Sequence, residues 1–381
     1  MARDFFLADD LSGALDAAAA FHGAGRAVTV RLSGTGLPTR EAEPTGQETR
    51  ATPDHEVTAY TTETRNATDA IAARSVADAI ARGHAGGGRL LFKKIDSTLR
   101  GPVVAEVRAL LAALPEVRVL FTPANPRAGR TVRDGVLRVH GVPVAETEFG
   151  RDPVSPVRES SLRVLLREFP AARLAIADVV SEEDLVAAVA KMNADGGGWV
   201  GVGSGALAAV VAGKRRRGLG PRPDVPAGPA LIVCGSTHPV NRAQAAELQR
   251  ERGVPAFEVA LREPMAGVRA AVERLRSGGG AALLLEPARG DSAEALQAIV
   301  RAALHAIETA SVRRLFVMGG ETAFGVCGAL GVRSLQFVKE IEPGASVSAV
   351  RFHDRPALVA MKNGGFGDAG TWVRVWDEIV G

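Results

Sequence analysis

Short apolar runs alternate with stretches of helical period along nearly the whole chain, and this alternation constrains the fold more than any other feature. Strands separated by helices are typical of βαβ units, which build mostly parallel sheets flanked by helices. Strands are predicted at 4–8, 27–32, 56–61, 89–94, 117–122, 173–177, 198–202, 230–234, 281–285, 314–318, 347–352 and 357–361. Helices are predicted at 11–23, 66–83, 102–113, 158–168, 182–193, 239–252, 264–277, 292–310 and 322–330. The sequence therefore predicts an α/β protein.

A length of 381 residues favours two domains. Residues 213–229 combine a basic run with proline and glycine, which is typical of a linker between domains. We therefore expect one domain at 1–212 and a second at 230–381, each a mostly parallel sheet flanked by helices. The basic run Lys214 to Arg217 could instead form a nucleic-acid patch, but no aromatic side chain lies beside it to stack on bases.

The stretch 131–146 interrupts the pattern. Asp134 and Gly135 separate two β-rich runs, and both residue types tolerate positive φ, so a β-hairpin is predicted. Such a hairpin could act as a lid or as a dimer arm, and a homodimer stays open. Residues 33–55 are rich in Gly, Thr, Pro and Glu, so we expect a loop there.

Composition excludes several classes of protein. The net charge of +3 gives no reason to expect a nucleic-acid partner. Cys234 and Cys327 cannot form a disulfide framework and fit a reducing compartment. The N-terminal apolar run is interrupted by Asp9, Asp10 and Asp16, and no later run approaches the roughly 20 apolar residues of a membrane helix. We expect a cytoplasmic protein without a membrane partner.

Polar side chains follow several predicted strands of the first half. Ligands of open α/β sheets bind at the carboxyl ends of strands, so these positions are candidate sites. The first contains Asp9, Asp10 and Ser12, which could cap a helix, bind Mg²⁺ or accept a substrate proton, or could be one helix cap beside a solvated charge. The second is KKIDSTLRG, residues 93–101, in which Arg100 could bind a substrate carboxylate, Lys94 could neutralise phosphoryl charge and Asp96 could act as a base. Alternatively, residues 93–101 could form only a polar turn with a helix cap.

Two smaller groups add donors to the same predicted edge. Asn125, Arg127 and Arg130 follow the strand at 117–122, and Thr64 and Arg65 follow the strand at 56–61. Each group alone would more often be a surface loop.

Glycine follows the strands of the second half. VCGSTHP, VMGGETAFG and MKNGGFGD are three glycine-bearing loops, and two of them lead into predicted helices. Glycine allows a backbone to approach a phosphate closely, and helix N-termini attract anions. Several such loops in one domain predict a nucleotide site.

Other motifs exclude or weaken rival chemistries. The histidines and cysteines show no metal-ligand spacing, and no Walker A pattern is present. GVGSGA at 201–206 matches a dinucleotide-binding pattern, but no strand-ending acid follows at the spacing expected for a ribose ligand. An NAD(P)-dependent dehydrogenase is thus a weak alternative.

The loops ADDLSGALD, KKIDSTLRG, PANPRAGRTVRDG, CGSTHPVNRAQ, GGETA and KNGGFGD resemble, in order, those of the four-carbon acid sugar kinase family, whose members include 3-oxo-tetronate, threonate and erythronate kinases. The resemblance covers nearly the whole chain. It implies an N-terminal acid-sugar domain, a C-terminal ATP domain and a reaction in the cleft between them, with ATP and Mg²⁺ as cofactors.

The resemblance also implies site residues. From the residues themselves, we expect catalytic roles for Asp10 or Asp96, which would orient or deprotonate the attacking hydroxyl, and for Lys94, which would neutralise phosphoryl charge. The substrate-binding residues would be Asp9, Ser12, Arg65, Ser97, Thr98 and Arg100. The nucleotide-binding residues would be Gly235, Ser236, Gly319, Gly320, Glu321, Thr322, Gly364 and Gly365.

Some positions depart from the family pattern. The family often has Thr at the position of Ser12, Asp at that of Glu321 and Ser at that of Asn363, and the loop after Ser236 also differs. These departures leave the identity of the sugar acid open. Glu321 and the altered loop also motivate a second alternative, a protein that binds a sugar acid or nucleotide without turning it over.

Overall fold

The computed structural model describes residues 4–33, 56–196, 198–213, 227–287 and 292–381. The chain divides into two compact units, Met1–Leu219 and Gly220–Gly381. Most of the predicted linker and of the predicted loop at 33–55, including Lys214 to Arg217, lies outside the described residues. No described helix has the length and apolar character required to cross a bilayer.

Unit 1 is built on a parallel sheet. Its strands are β1 (Asp4–Ala8), β2 (Ala27–Arg31), β3 (Glu56–Thr61), β4 (Leu90–Lys94), β5 (Arg118–Thr122), β9 (Leu174–Ile176) and β10 (Trp199–Gly203), in the order β2-β3-β1-β4-β10-β5-β9. Every pairing among these strands is parallel. Its helices are α1 (Leu11–Gly23), α2 (Asp69–Ala85), α3 (Val103–Ala113), α4 (Leu162–Leu165), α5 (Glu182–Ala194) and α6 (Gly205–Ala212).

The predicted hairpin lies in a small antiparallel sheet of β6 (Arg130–Arg133), β7 (Val136–Val139) and β8 (Val142–Pro143). It does not project freely. Val132 and Leu137 are fully buried, and Val132 bridges to Val179 of the same unit. This sheet is part of the packed body of unit 1, and short 3₁₀ turns at Val144–Glu146 and Glu148–Arg151 follow it.

Unit 2 has a mixed sheet of β11 (Ala230–Cys234), β12 (Ala256–Val259), β13 (Gly280–Leu285), β14 (Arg314–Met318), β15 (Ser334–Glu342), β16 (Ala345–Phe352) and β17 (Arg355–Lys362). The order is β12-β13-β11-β14-β17-β16-β15. In this sheet order the first five strands, from β12 to β17, are parallel to their neighbours. The strands β17, β16 and β15 form an antiparallel meander. Its helices are α7 (Pro239–Arg252), α8 (Met265–Arg276), α9 (Ser292–Ala310), α10 (Gly320–Ala329) and α11 (Thr371–Val380).

The fold class predicted from the sequence is confirmed: each unit carries a mostly parallel sheet with helices, and the hairpin sheet is present. Two strands and two helices of the structure were not predicted, namely β12, β15, α6 and α11. The predicted helix at 158–168 is reduced to the single turn α4, because Ser161 caps it and the chain leaves the helix at Leu166.

The last helix completes the core of unit 2. Trp372, Val375, Trp376 and Ile379 of α11 are buried at spacings of three and four residues. Trp372 lies edge-on to Phe316 of β14, with ring centroids 6.0 Å apart. Burying aromatic side chains of this size contributes roughly 2–3 kcal/mol each, so α11 fixes the strand whose end carries Gly319.

Candidate functional site

The carboxyl ends of β3, β1 and β4 meet at one edge of the unit 1 sheet because these strands are parallel neighbours. Asp9 and Asp10 follow β1, residues 62–65 follow β3, and residues 95–100 follow β4. The polar loops that the sequence placed after separate strands therefore lie together. We call this group, Asp9, Asp10, Arg65, Lys94, Asp96 and Arg100, the acidic edge.

Arg65 lies at the centre of the acidic edge. Its Nη1 is 2.7 Å from Asp10 Oδ2, and its Nη2 is 3.3 Å from Asp9 Oδ2 and 4.0 Å from Asp96 Oδ1. Three carboxylates around one guanidinium raise the pKa of Arg65 despite the opposing effect of burial. Its charge is thus already neutralised by protein groups.

Asp96 is held by its own loop. It accepts hydrogen bonds from Thr98 Oγ1 and from the Arg100 backbone and side chain, with Arg100 Nε at 3.0 Å. Burial opposes ionisation, yet Arg65 and Arg100 hold the pKa of Asp96 far below its usual range. Such a carboxylate is a weak base, and it is well suited to fixing two guanidiniums.

Asp10 is the N-cap of α1. It accepts hydrogen bonds from Gly13 N at 2.6 Å and from the Ser12 hydroxyl.

Lys94 Nζ donates to Ile95 O at 3.1 Å and lies 3.8 Å from Asp16 Oδ2 on α1. Thus Asp10, Ser12 and Lys94 lie together beside the partly buried Asp16. Ser97 is half-buried on the Asp96 loop.

Buried polar contacts support this edge from below. Lys93 Nζ lies 2.9 Å from Glu106 Oε2, and both side chains are almost fully buried. Glu106 also accepts a hydrogen bond from Thr64 Oγ1, which links the β3 end to α3. Burial raises the pKa of Glu106 even though Lys93 opposes it. This pair fixes the loops and is closed to a ligand.

Sequence reasoning missed several residues here. Asp152 lies 3.6 Å from Arg100, Phe149 lies under the Arg100 guanidinium, and Ser155 donates to Arg65 O.

Glu63 has a buried Oε1 with no hydrogen-bond partner among the described residues. Burial and the charge of Asp10 raise the pKa of Glu63 to about 8. Asp16, six residues after Asp10, is a further carboxyl group here, and burial raises its pKa.

The glycines of GVGSGA serve packing. A Cβ on Gly203 would lie 2.0 Å from Thr122 O, and one on Gly205 would lie 2.1 Å from Asp16 Oδ2. Close contact between β10, β5, α6 and α1 therefore accounts for these glycines without a dinucleotide.

The glycine turns of unit 2 also meet. Gly235 and Ser236 follow β11, Gly319 follows β14, and Gly364 and Gly365 follow β17. A Cβ on Gly235 would lie 2.1 Å from Thr322 Oγ1, and one on Gly364 would lie 2.9 Å from Ser236 Oγ. We call Gly235–Ser236, Gly319–Thr322 and Gly364–Gly365 the glycine turns. A side chain at Gly235 or Gly364 would therefore not fit without a shift, and Gly319 has a φ of 94° that favours glycine.

A cavity of about 260 Å³ lies beside the glycine turns. Its polar lining comes from Gly235, Thr237, Glu286, Glu321 and Thr322, and its apolar lining from Leu261, Leu285, Ala295, Leu296 and Ile299. The N–H groups of the first turn of α10, which starts at Gly320, have no partner within the helix and attract anions. The cavity thus offers an apolar part and an anion-binding part.

Lys362 is the last residue of β17 and lies in the motif MKNGGFGD. Its Nζ donates to the carbonyls of Asn363, Gly364 and Phe366 at 3.1, 3.0 and 2.8 Å. Burial lowers its pKa to about 8. A buried ammonium therefore shapes the third glycine turn from inside.

No cluster of three or more metal-ligating side chains occurs in the part of the chain that the structure describes. Cys234 and Cys327 are free and buried, and burial raises the pKa of both thiols. Neither is a reactive thiolate.

Comparison with known proteins matches both units. Residues 5–171 match the family described as the sugar-binding N-terminal domain, and residues 231–371 match the nucleotide-binding C-terminal domain. A D-threonate kinase of Bordetella bronchiseptica is 32% identical over 98% of this chain and 96% of its own length. The chain belongs to the four-carbon acid sugar kinase family. A 3-oxo-tetronate kinase of Methylobacterium radiotolerans is 31% identical over 98% of each protein.

Solved structures of this fold come from Salmonella typhimurium and Haemophilus influenzae. The first aligns with a TM-score of 0.76 at 21% identity over the whole of both chains. The second aligns with a TM-score of 0.73 at 19% identity, covering 98% of this chain and all of the other. At these identities the likeness concerns the fold alone. Family membership expected from the sequence motifs is confirmed by the matched domains and relatives.

Proposed function

We propose that this protein is an ATP-dependent kinase that phosphorylates a hydroxyl, the terminal one by preference, of a four-carbon acid sugar such as D-threonate, erythronate or 3-oxo-tetronate. One observation carries the proposal. The family's sugar-binding domain coincides with the unit that contains the acidic edge, and its nucleotide-binding domain coincides with the unit that contains the glycine turns.

In unit 1, we assign the proton-accepting role to Asp10. Asp96 is a weaker base because two guanidiniums stabilise its ionised form. Asp9 and Asp96 hold Arg65 and Arg100 in place, so these four residues shape the site. Ser12, Ser97 and Thr98 provide hydroxyls for the sugar, and Lys94 provides positive charge near the transferred phosphoryl group.

In unit 2, the glycine turns hold the phosphates of ATP and the apolar part of the cavity holds the nucleoside. Mg²⁺ is commonly held by one or two carboxylates together with phosphate oxygens and water. The carboxylates of Glu286 and Glu321 line the cavity, so this donor set fits the ion. Bound there, Mg²⁺ would neutralise charge on the phosphates. Glu321 thus keeps the carboxylate that the family pattern expects at this position.

Coupled measurement of ADP release tests the proposal. The protein is incubated with ATP, Mg²⁺ and each stereoisomer of threonate, erythronate and 3-oxo-tetronate. Release of ADP that depends on one of these acids, together with a phosphorylated product, is expected. A binder without turnover would show thermal stabilisation by a sugar acid and no ADP, and that result would contradict the kinase assignment. Tight NADH binding that ATP does not displace would instead favour a dehydrogenase.

We expect the protein to work in the cytoplasm. A homodimer is also possible from the sequence, and gel filtration with light scattering tests it.

A further inference from the structure

Arg130, at the start of β6, differs from the other arginines around the acidic edge. Arg65 and Arg100 each bind carboxylates, and the exposed Arg127 lies 3.3 Å from Glu182. Arg130 makes no ion pair with any described carboxylate. Its Nε is buried and has no hydrogen-bond partner in the described parts of the chain. A half-buried guanidinium thus carries unused donors beside the proposed sugar site.

The surroundings of Arg130 place it at that site. Its guanidinium lies 6.0 Å from the centre of the Phe149 ring, and Arg100 lies 5.6 Å from the same ring. Phe149 therefore supports both cations, as aromatic rings commonly do for arginine. Asp96, Asp16 and Glu148 are near enough to act on Arg130 electrostatically, without contacting it.

An unpaired cation here is in an unfavourable environment. Burial lowers the pKa of Arg130, the like charge of Arg100 adds to the effect, and the attraction of Asp96 opposes it. Buried charges are costly unless they are paired and hydrogen-bonded. A small anion that accepts hydrogen bonds from Arg130 would relieve this cost.

We propose that Arg130 is the residue that binds the carboxylate of the acid sugar and so selects acids over neutral sugars. Arg65 and Arg100 were the candidates for this role in the sequence, but their donors face aspartates of the protein. The planar fork of a guanidinium matches a carboxylate in a bidentate arrangement. This inference rests on the proposed function and adds the group that recognises the substrate's charge.

Substitution with a matched control tests the proposal. Arg130→Gln removes the charge, and Arg130→Lys keeps the charge but loses the fork. Arg133→Gln is the control, because Arg133 is exposed on the same strand and at an odd spacing, which places it on the opposite face. Circular dichroism and thermal unfolding establish that each variant is folded.

Isothermal titration with the preferred sugar acid gives the main readout. Losing charge-assisted hydrogen bonds should weaken binding of the acid roughly 10- to 100-fold in Arg130→Gln. The loss of affinity in Arg130→Lys should be several-fold smaller than in Arg130→Gln, because the charge remains. Binding of ATP should be unchanged in both. A neutral four-carbon polyol should bind wild type and Arg130→Gln equally weakly, because it lacks the carboxylate. Arg133→Gln should match wild type.

Two results would overturn the proposal: acid binding within about twofold of wild type in Arg130→Gln, or an equal loss of affinity for acid and polyol. Because titration measures binding and not turnover, the inference is separable from the kinase assignment. Acid binding that depends on Arg130 without ADP release would reject only the kinase.

Discussion

The acidic edge of unit 1 and the glycine turns of unit 2 are candidate binding sites built in opposite ways. The acidic edge is made of charged side chains. Its Arg65 forms ion pairs with both Asp9 and Asp10 and lies 4.0 Å from Asp96. The glycine turns are made of backbone, and their buried cation, Lys362, binds carbonyls. Both lie at the carboxyl ends of parallel strands.

The difference is consistent with the ligand proposed for each site. Hydroxyls and a carboxylate on a small sugar require directional side chains whose charges are fixed in advance. Phosphates can be held by N–H groups of turns and helix ends, provided that no side chain keeps them away. The acidic edge should therefore be sensitive to loss of charge, and the glycine turns to added volume.

Asp10→Asn should have the largest effect, because it removes the proposed proton acceptor and keeps its shape. We expect turnover to fall roughly 10²- to 10⁴-fold with nucleotide binding unchanged, as measured by steady-state kinetics and titration. Asp78→Asn, an exposed position on α2, is the control. If Asp10→Asn and Asp96→Asn both keep near wild-type turnover, neither residue is the base.

Gly235→Ala tests the glycine turns in the opposite way, since it adds volume without charge. Its Cβ would lie 2.1 Å from Thr322 Oγ1, so the buried Thr322 side chain or one of the two turns has to shift. We expect nucleotide affinity to fall about 10- to 100-fold, because displaced N–H groups lose their phosphate contacts. Binding of the acid sugar should persist.

Gly228→Ala is the matched control, since a Cβ at the exposed Gly228 meets no atom within 4 Å. Equal nucleotide binding by Gly235→Ala and Gly228→Ala would show that the glycine turns hold no phosphate.

Sequence patterns found most of this architecture because each βα repeat carries its own signal. The ranges for α1, α7 and α9 agree with the structure to the residue. Asp9, Lys94 and Asp96 were grouped because parallel strands bring their carboxyl ends to one edge. Helix α11 was missed although its apolar residues recur at helical spacing, and β15 was missed although buried and exposed residues alternate over its first half.

The missing site residues required tertiary information. Which of Arg65, Arg100 and Arg130 is left without a carboxylate depends on side-chain directions in loops, and no spacing rule encodes them. The burial that perturbs Glu63 and Lys362 depends on neighbours distant in sequence. A motif can thus nominate charged residues, but the partners that decide their chemistry come from the packed structure.

Lys362→Met should affect the nucleotide site by a smaller factor. Without the ammonium, the carbonyls of the third glycine turn lose their common donor, and nucleotide affinity should fall about tenfold. In wild type, affinity should weaken as pH rises through about 8, because Lys362 then loses its proton. The neutral thiol of Cys234 and the carboxylate of Glu342 lie near Lys362, and Glu342 favours its charged form.

Titration between pH 7 and 9 checks this expectation. The Lys362→Met variant should bind weakly with little dependence on pH. Lys339→Met, at an exposed lysine of β15, should follow wild type. A wild-type affinity that stays flat from pH 7 to 9 would mean that the charge of Lys362 plays no part in binding.

Glu63→Gln should have the smallest effect, on stability at the acidic edge. The pKa of Glu63 is raised from its ordinary 4.5 to about 8 by burial and by Asp10. Between these values the folded protein binds more protons than the unfolded chain, so stability falls as pH rises from about 4.5 to 8. Glutamine resembles the neutral acid and carries no such penalty.

The variant should therefore match wild type near pH 4.5 and become more stable above it. Allowing for screening by partial solvent access, a gain of about 1–2 kcal/mol near pH 8.5, or roughly 3–6 °C in Tm, is expected. Thermal unfolding across this range, with Glu146→Gln at an exposed position as control, gives the measurement. A difference between Glu63→Gln and wild type that is the same at pH 5 and pH 8.5 would show that Glu63 is ionised throughout. The surroundings of the acidic edge would then contain one more fixed negative charge, and the anion binding proposed there would depend even more strongly on Arg130 and Lys94.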